Sequence, residues 1–276
     1  MQAEKLLIGF DSAWSAANRG ALVAAVVTGQ RCVALAAPQL ANFQQALQLI
    51  QQWQAQWQPK CTWVGIDQPV IVPNEFGQRP VEHVLCALIS RRRGGIQPAY
   101  RAKANLFGDA APIWQFLAGF SGAPTQLKPA QATQVFEVYP TLLLLHLGWL
   151  SEDHQGRPVL PKYNPANARK FQHADWVRVC QALALWLQPL GEGVSVWVAH
   201  LTDLAQLDSP RKADQDQLDA LLCWVSVWYR LRGEAWQLGN AESGFLLSPC
   251  QHDLRAELLA RIHATGRDPE HFLAKI

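Results

Sequence analysis

Three short apolar runs in this chain end on or just past an acidic residue, and no other feature narrows the possible folds as much. Leu6–Phe10 runs into Asp11, Cys61–Ile66 runs into Asp67, and Gln134–Val138 carries Glu137 shortly before Pro140. Each has the length and composition of a buried strand. Between the first two runs, Ala21–Thr28 and Arg31–Ala37 are further strand candidates separated by Gly29 and Gln30. A glycine in a two-residue connection suits a tight hairpin, so the first three strands read as an antiparallel meander.

Ala41–Gln58 is rich in Gln, but Phe43, Leu47, Ile50, Trp53 and Trp57 recur at spacings of four, three, three and four. That is one stripe of a helix, with the glutamines on its wet face. Arg79–Arg93 predicts a helix that ends in Arg91, Arg92 and Arg93, with Gly94 and Gly95 beyond. Basic charge in a last turn followed by glycine is an ordinary helix terminus. The stretch up to Ala130 mixes loop and helix signals. Ser151–Asn164 reads as a turn-rich excursion, Ala166–Leu187 as a helix and Val194–Ala199 as a strand. From Asp214 to Arg232 the chain is apolar nearly all round, which predicts a buried helix, with Asp216 and Asp219 in its first turns. If Leu218, Leu222, Val225 and Tyr229 mark its inward face, Asp219 lies ~100° and Asp216 ~160° from Leu218, so Asp219 leans further in.

Strand, hairpin strand, hairpin strand, helix, strand, helix is the opening order of an α/β, RNase H-like mixed sheet flanked by helices. The first three strands are antiparallel and later strands add in parallel. In that arrangement the fourth strand lies beside the first, which sets Asp11 and Asp67 on adjacent strands ~4.8 Å apart. The late helix then brings Asp216 and Asp219 to the same end of the sheet. Crowded carboxylates raise one another's pKa and call for a cation. Their hard oxygens favour Mg²⁺ or Mn²⁺, which suits in-line phosphodiester hydrolysis. Asp11, Asp67 and Asp219 are the expected metal ligands, with Asp216 and Glu137 as further catalytic groups. Each acid also has an ordinary role open to it. Asp11 and Asp67 can cap turns, Glu137 can pair with an arginine, and Asp216 can sit at a helix N-terminus for electrostatic reasons alone.

Composition bounds the rest. With 276 residues, 49% hydrophobic and 17% charged, residues 1–276 are expected to form one globular domain with an insertion around 150–209. A net charge of +2 gives no strong pull towards nucleic acid or anionic membranes, so a nucleic-acid partner is possible without being demanded by charge. Arg91, Arg92 and Arg93 are candidate phosphate contacts, as is Arg79, although Arg79 and Glu82 stand three apart and can simply pair. The six cysteines lack zinc-site spacing, and buried or free thiols in a reducing compartment are expected. The N-terminus lacks the pattern of a secretory signal, and no apolar run can span a bilayer. A soluble cytoplasmic protein without a membrane partner is therefore expected. The eight histidines have no helical metal spacing, and neither a phosphate-binding Gly-Lys-Ser/Thr loop nor a Gly-x-Ser-x-Gly elbow occurs. Trp14 can stack on a base or belong to the core.

An ordered set of motifs also resembles the domain-of-unknown-function 429 family. They are Gly9-Phe10-Asp11-Ser12-Ala13-Trp14, Gly65-Ile66-Asp67-Gln68-Pro69, Gly77-Gln78-Arg79-Pro80-Val81-Glu82, Phe136-Glu137-Val138-Tyr139-Pro140, Asp216-Gln217-Leu218-Asp219-Ala220, Gly233-Glu234-Ala235-Trp236 and Glu242-Ser243-Gly244-Phe245-Leu246-Leu247-Ser248-Pro249. The resemblance implies an RNase H-like fold and a metal-dependent nuclease activity, with no substrate attached. In that family the helix motif often opens with two adjacent acids, whereas here Gln215 precedes Asp216. Two other readings share parts of this pattern. An actin- or sugar-kinase-like ATP-dependent enzyme wants a glycine-rich turn after the first strand, where this chain has Ser12-Ala13-Trp14-Ser15. A non-catalytic nucleic-acid-binding or scaffold protein has no need to keep all the strand-end acids.

Overall fold

The computed structural model describes residues 4–120, 133–249 and 252–276. Its first strand, β1 (Lys5–Asp11), pairs antiparallel with β2 (Gly20–Thr28), and β2 pairs antiparallel with β3 (Arg31–Ala41). Thr28 and Arg31 face each other across Gly29 and Gln30, and Gly29 has φ of 61°. That left-handed turn matches the twist of the strands it joins. Helix α1 (Phe43–Trp57) follows, and Asn42 and Gln45 bond reciprocally to each other's backbone N–H at its start. Strand β4 (Cys61–Ile66) then adds in parallel beside β1, and β5 (Thr133–Glu137) adds in parallel beside β4. The sheet order is β3-β2-β1-β4-β5: the expected meander with parallel additions, in a mixed α/β sheet flanked by helices.

Helix α2 spans Pro80–Ser90, so the arginine run lies just beyond it. There Gly94 N–H reaches back to the Ile89 carbonyl at 3.0 Å, and it is Arg93, at φ of 57°, that takes the left-handed position. Helices α3 (Ala104–Phe107), α4 (Pro112–Ala118) and α5 (Pro140–His146) are short. Strands β6 (Ser151–Glu152) and β7 (Pro158–Val159) form a small hairpin in the excursion. Helix α6 (His173–Leu187) begins later than the sequence pattern suggested. Before it, Asn164 accepts the Ala166 N–H on its side chain and the Asn167 N–H on its carbonyl, a turn that competes with helix.

Val194–Ala199 is a helix start, not a strand. A 3-10 turn over Glu192–Val194 leads into α7 (Ser195–Ala205). The buried residues are Val194, Trp197, Leu201 and Leu204, at spacings of three, four and three. That helical stripe emerges only when the window is carried past Ala199. Helix α8 (Lys212–Leu231), strands β8 (Ala235–Asn240) and β9 (Gly244–Pro249), helices α9 (His252–Ala264) and α10 (Pro269–Phe272), and strand β10 (Leu273–Lys275) complete the described elements. Strands β10, β8 and β9 form a separate antiparallel sheet.

Strand alternation sorts the sheet into two faces. Leu6, Ile8 and Phe10 of β1, with Val64 and Ile66 of β4, pack with Phe43 and Ile50 of α1 and Phe116 of α4. The residues between them look the other way, towards α8. A β-carbon on Gly9 would lie 2.0 Å from the Ala220 carbonyl oxygen and 2.4 Å from the Trp224 nitrogen. One on Gly65 would lie 2.6 Å from Val227 Cγ2 and 2.9 Å from the Cys223 oxygen. Gly9 and Gly65 are register partners, so together they make a notch in which the backbone of α8 sits directly on the sheet. The stripe of α8 that meets the sheet is therefore Ala220, Cys223, Trp224 and Val227. Leu218, Leu222 and Val225 of the expected inward face are fully buried as well, in the large core that α8 shares with α5, α6 and α7.

Candidate active site at the end of the sheet

The notch fixes where the acids meet. Asp11 lies two residues beyond Gly9 and Asp67 two beyond Gly65, on the face that holds α8. The Asp67 N–H donates to the Phe10 carbonyl at 2.9 Å, which continues the β1–β4 ladder to this point. Asp216 and Asp219 enter from the first two turns of α8. Asp11, Asp216 and Asp219 are buried, while Asp67 is half-buried at the mouth.

Their electrostatics confirm the crowding. Burial pushes the Asp11 carboxyl well above the usual carboxylate range, and Asp219 and Asp67 push it further. Burial and then Asp219 do the same to Asp67. Burial lifts Asp219 to about 6, against the pull of Lys212 and of its own hydrogen bonds. Asp219 acts on both strand acids, whereas Asp216 acts on Asp11.

Three residues that the acid pattern did not announce complete this corner. Lys212 donates to Asp216 Oδ1, and its Nζ stands 3.8 Å from Asp11 Oδ2. Burial works to lower its ammonium, but Asp11, Asp216 and Asp219 together raise it. The Tyr163 hydroxyl donates to Asp219 Oδ1 at 2.7 Å. Gln215 Nε2 donates to Asp219 Oδ2 at 2.8 Å, and its buried Oε1 has no partner. Gln215, the departure from the family motif, thus replaces one negative charge with a donor that steadies Asp219. The i,i+4 spacings of Lys212 to Asp216 and Gln215 to Asp219 were legible in the sequence. Tyr163 was not, because it arrives from the excursion.

Glu137 stands apart from the four aspartates, although its charge also raises Asp67 and the two line one hollow, and the register gives the reason. It pairs with Ile66, not with Asp67, so it is one residue out of phase and belongs to the opposite face of the sheet. The position level with Asp67 is Val138. Glu137 instead binds Arg79, whose Nη1 and Nη2 reach its two oxygens at 2.7 and 2.6 Å. Arg79 also donates through Nε to Glu82 Oε1 at 2.8 Å and through Nη1 to the Ile71 carbonyl at 2.9 Å. Only 1% exposed, Arg79 is a structural clamp and not the phosphate contact expected of it. Arg91 and Arg92 both pair with Glu257 of α9, away from the acids. Arg93 pairs with Asp153 at 2.7 Å and does line the cleft at the acids.

Two hollows open at Asp67. One, of about 390 Å³, is lined by Asp67, Asp219 and Gln215 and by residues of the excursion. The other, of about 280 Å³, is lined by Trp14, Gln68, Tyr139 and the Arg79 clamp. The turn after β1 is closed. The Ser12 hydroxyl donates to Gln68 Oε1 at 2.7 Å, and Trp14 Nε1 donates to the Asp67 carbonyl at 2.6 Å. Trp14 packs edge-on against Phe107, so its ring is already used inside the protein. That arrangement leaves no glycine cradle for a nucleotide triphosphate.

Hard oxygen ligands at this density match a divalent cation in chemistry. Four carboxyl groups face one ammonium, and the unpartnered Gln215 Oε1 is one more oxygen donor. Among the described residues no group of three or more His, Cys, Asp or Glu side chains is placed so as to hold a metal ion. Cys32, Cys61, Cys86, Cys180 and Cys223 are free thiols, and Cys250 lies outside the described residues. Among the described residues no helix is long and apolar enough to cross a membrane.

A family model described as a protein of unknown function (DUF429) matches residues 9–243, and the chain belongs to that family. The match runs through residues 150–209. No curated protein matches the chain.

Proposed function

We propose that this DUF429 protein is a metal-dependent phosphoester hydrolase of the nuclease type, built on an RNase H-like sheet. The observation that carries the reading is the meeting of Asp11, Asp67 and Asp219 against the first turns of α8, with all three carboxyls raised by burial and those of Asp11 and Asp67 raised further by Asp219. Asp11, Asp67 and Asp219 would hold Mg²⁺ or Mn²⁺. When bound, such an ion supplies charge neutralisation at the scissile phosphate and a water acidic enough to attack it.

The chain's own residues have separable roles. Tyr163 and Gln215 hold Asp219 in one orientation through its two oxygens. Lys212 spans Asp216 and Asp11, offsetting part of their repulsion. It is a charge that an incoming cation displaces or a phosphate oxygen attracts. Asp67 is the one acid of the group that reaches both hollows, so substrate meets the cluster there.

The test is a panel of phosphodiesters (single- and double-stranded DNA, RNA, and a chromogenic diester) assayed with Mg²⁺, with Mn²⁺ and with chelator. Cleavage that chelator abolishes is expected. Asp11→Asn and Asp219→Asn should each lower the rate at least a hundredfold, and Asp216→Asn less. No metal-dependent cleavage of any substrate, or full activity in Asp11→Asn, would overturn the reading.

A further inference from the structure

The acids are not the only charged groups of the larger hollow. Part of its lining is basic, from Arg93, Lys162 and Lys170. We propose that this basic part is a subsite for a phosphate monoester group, gripped by Lys162 and Lys170, in a hollow that Asp67 and Asp219 also line. The proposal rests on the phosphoester reading above and adds the chemistry of the group that anchors the substrate.

The two lysines are brought together without an acid between them. Lys162 follows β7 and leads to Tyr163, and Lys170 closes the turn before α6. The Lys162 ammonium donates to the Arg93 carbonyl, a neutral acceptor, while Lys170 carries no ion pair among the described residues. Burial lowers the Lys162 ammonium, and the charge of Lys170 lowers it further. Asp175 lies behind Lys162, but its carboxylate is taken up by the Lys162 backbone N–H at 2.6 Å and by the Ser151 hydroxyl. Asp153, the other nearby acid, is shared by Arg93 and Arg157. Lys162 and Lys170 therefore bring positive charge that no ion pair uses up into the same cavity of about 390 Å³ that Asp67 and Asp219 line.

Such a cavity is at the small end of ligand sites, which run from about 300 to 1,000 Å³. A monoester phosphate carries −1.5 to −2 charges at neutral pH, nearly twice a diester, and matches two neighbouring ammonium groups. The backbone is open at Gly95, which lines the hollow and where a β-carbon would meet nothing within 4 Å. The group can be the phosphate of a free nucleotide or the terminal phosphate of a strand, and both present the same dianion.

Calorimetry in chelator, without divalent metal, reads this site independently of catalysis. The probes are inorganic phosphate, a nucleoside 5′-monophosphate, and a short single strand with and without a 5′-phosphate. Binding of the monophosphate is expected, and Lys162→Gln combined with Lys170→Gln should weaken it at least tenfold and reduce its salt dependence. Lys170→Arg should bind nearly as the wild type does. A strand preferred only when 5′-phosphorylated, and over the mononucleotide, identifies a strand end. Equal binding of the mononucleotide identifies a small ester. Both outcomes support the phosphate subsite. Equal affinities in wild type and a double variant with unchanged melting temperature would overturn it, as would no phosphate binding at millimolar concentration. If the lysine effect holds while metal-dependent cleavage is absent, the hydrolase reading fails and the subsite stands. If phosphate binding is unchanged in the double variant while metal-dependent cleavage is present, only the subsite fails.

Discussion

Asp219 carries the most argument of any single residue. It touches both strand acids electrostatically, and its two oxygens are held by Tyr163 and Gln215. Burial raises its folded-state pKa to about 6 from 3.8. A group whose folded pKa exceeds its unfolded value favours the fold when protonated. That contribution is present below pH ~4 and is lost as pH rises to ~6. Asp219→Asn is therefore expected to stabilise the metal-free protein at pH 7 by on the order of 1–2 kcal/mol, below the full value of the shift because the carboxyls titrate together. The gain should shrink to nothing below pH ~4. The amide keeps both contacts, because its oxygen accepts from Tyr163 and its nitrogen donates to the now unpartnered Gln215 Oε1 once that side chain turns over. Thermal melts of both proteins in chelator from pH 4 to 8 check this. A variant less stable than wild type at pH 7, or a difference that ignores pH, would show that the carboxyl is not strained by burial.

At the scale of elements, the seat of α8 on the sheet is the decisive contact. Gly9→Ala places a methyl against helix backbone, which cannot give way, whereas Gly65→Ala first meets the movable end of Val227. Overpacking usually costs about 1–3 kcal/mol. Gly9→Ala should lie at or beyond the top of that range and Gly65→Ala lower within it, as read by urea denaturation. Equal, negligible losses would mean that the helix is not seated in this notch. The same notch explains what was legible in advance. The strands and the meander follow from run lengths and a hairpin glycine, the alignment of Asp11 with Asp67 follows from taking the fourth strand to lie beside the first, and the burial of α8 follows from its all-round apolarity. Its rotation did not follow, because a helix buried on every side has no apolar face to point with, and the cue lay in two glycines on other elements. Glu137 misled for a related reason. A five-residue apolar run locates a strand but not its register, and a shift of one residue exchanges the faces of the sheet.

At the scale of the molecule, the part least legible in sequence is the part that shapes the site. Residues 151–172 hold little regular structure, and no periodicity betrays where Tyr163 or Lys162 will land. Their placement depends on long-range contacts. One is the Leu160 N–H to the Arg92 carbonyl at 2.9 Å, and another is the Arg93 pair with Asp153. The arginine run thus serves the architecture, with Arg91 and Arg92 tied to α9 and Arg93 tied to the excursion. The excursion and the sheet end together enclose one cavity lined by both acids and lysines. The central claim is that the acid cluster is a metal site. Calorimetric titration of Mn²⁺ into the metal-free protein tests it most directly, with Asp11→Asn, Asp67→Asn and Asp219→Asn alongside and Asp268→Asn as a surface control. The wild type and the control should bind Mn²⁺ alike, and each of the three variants, folded by circular dichroism, should bind at least tenfold more weakly. Absence of Mn²⁺ binding to the wild type at millimolar concentration, or undiminished affinity in the three variants, would contradict the claim.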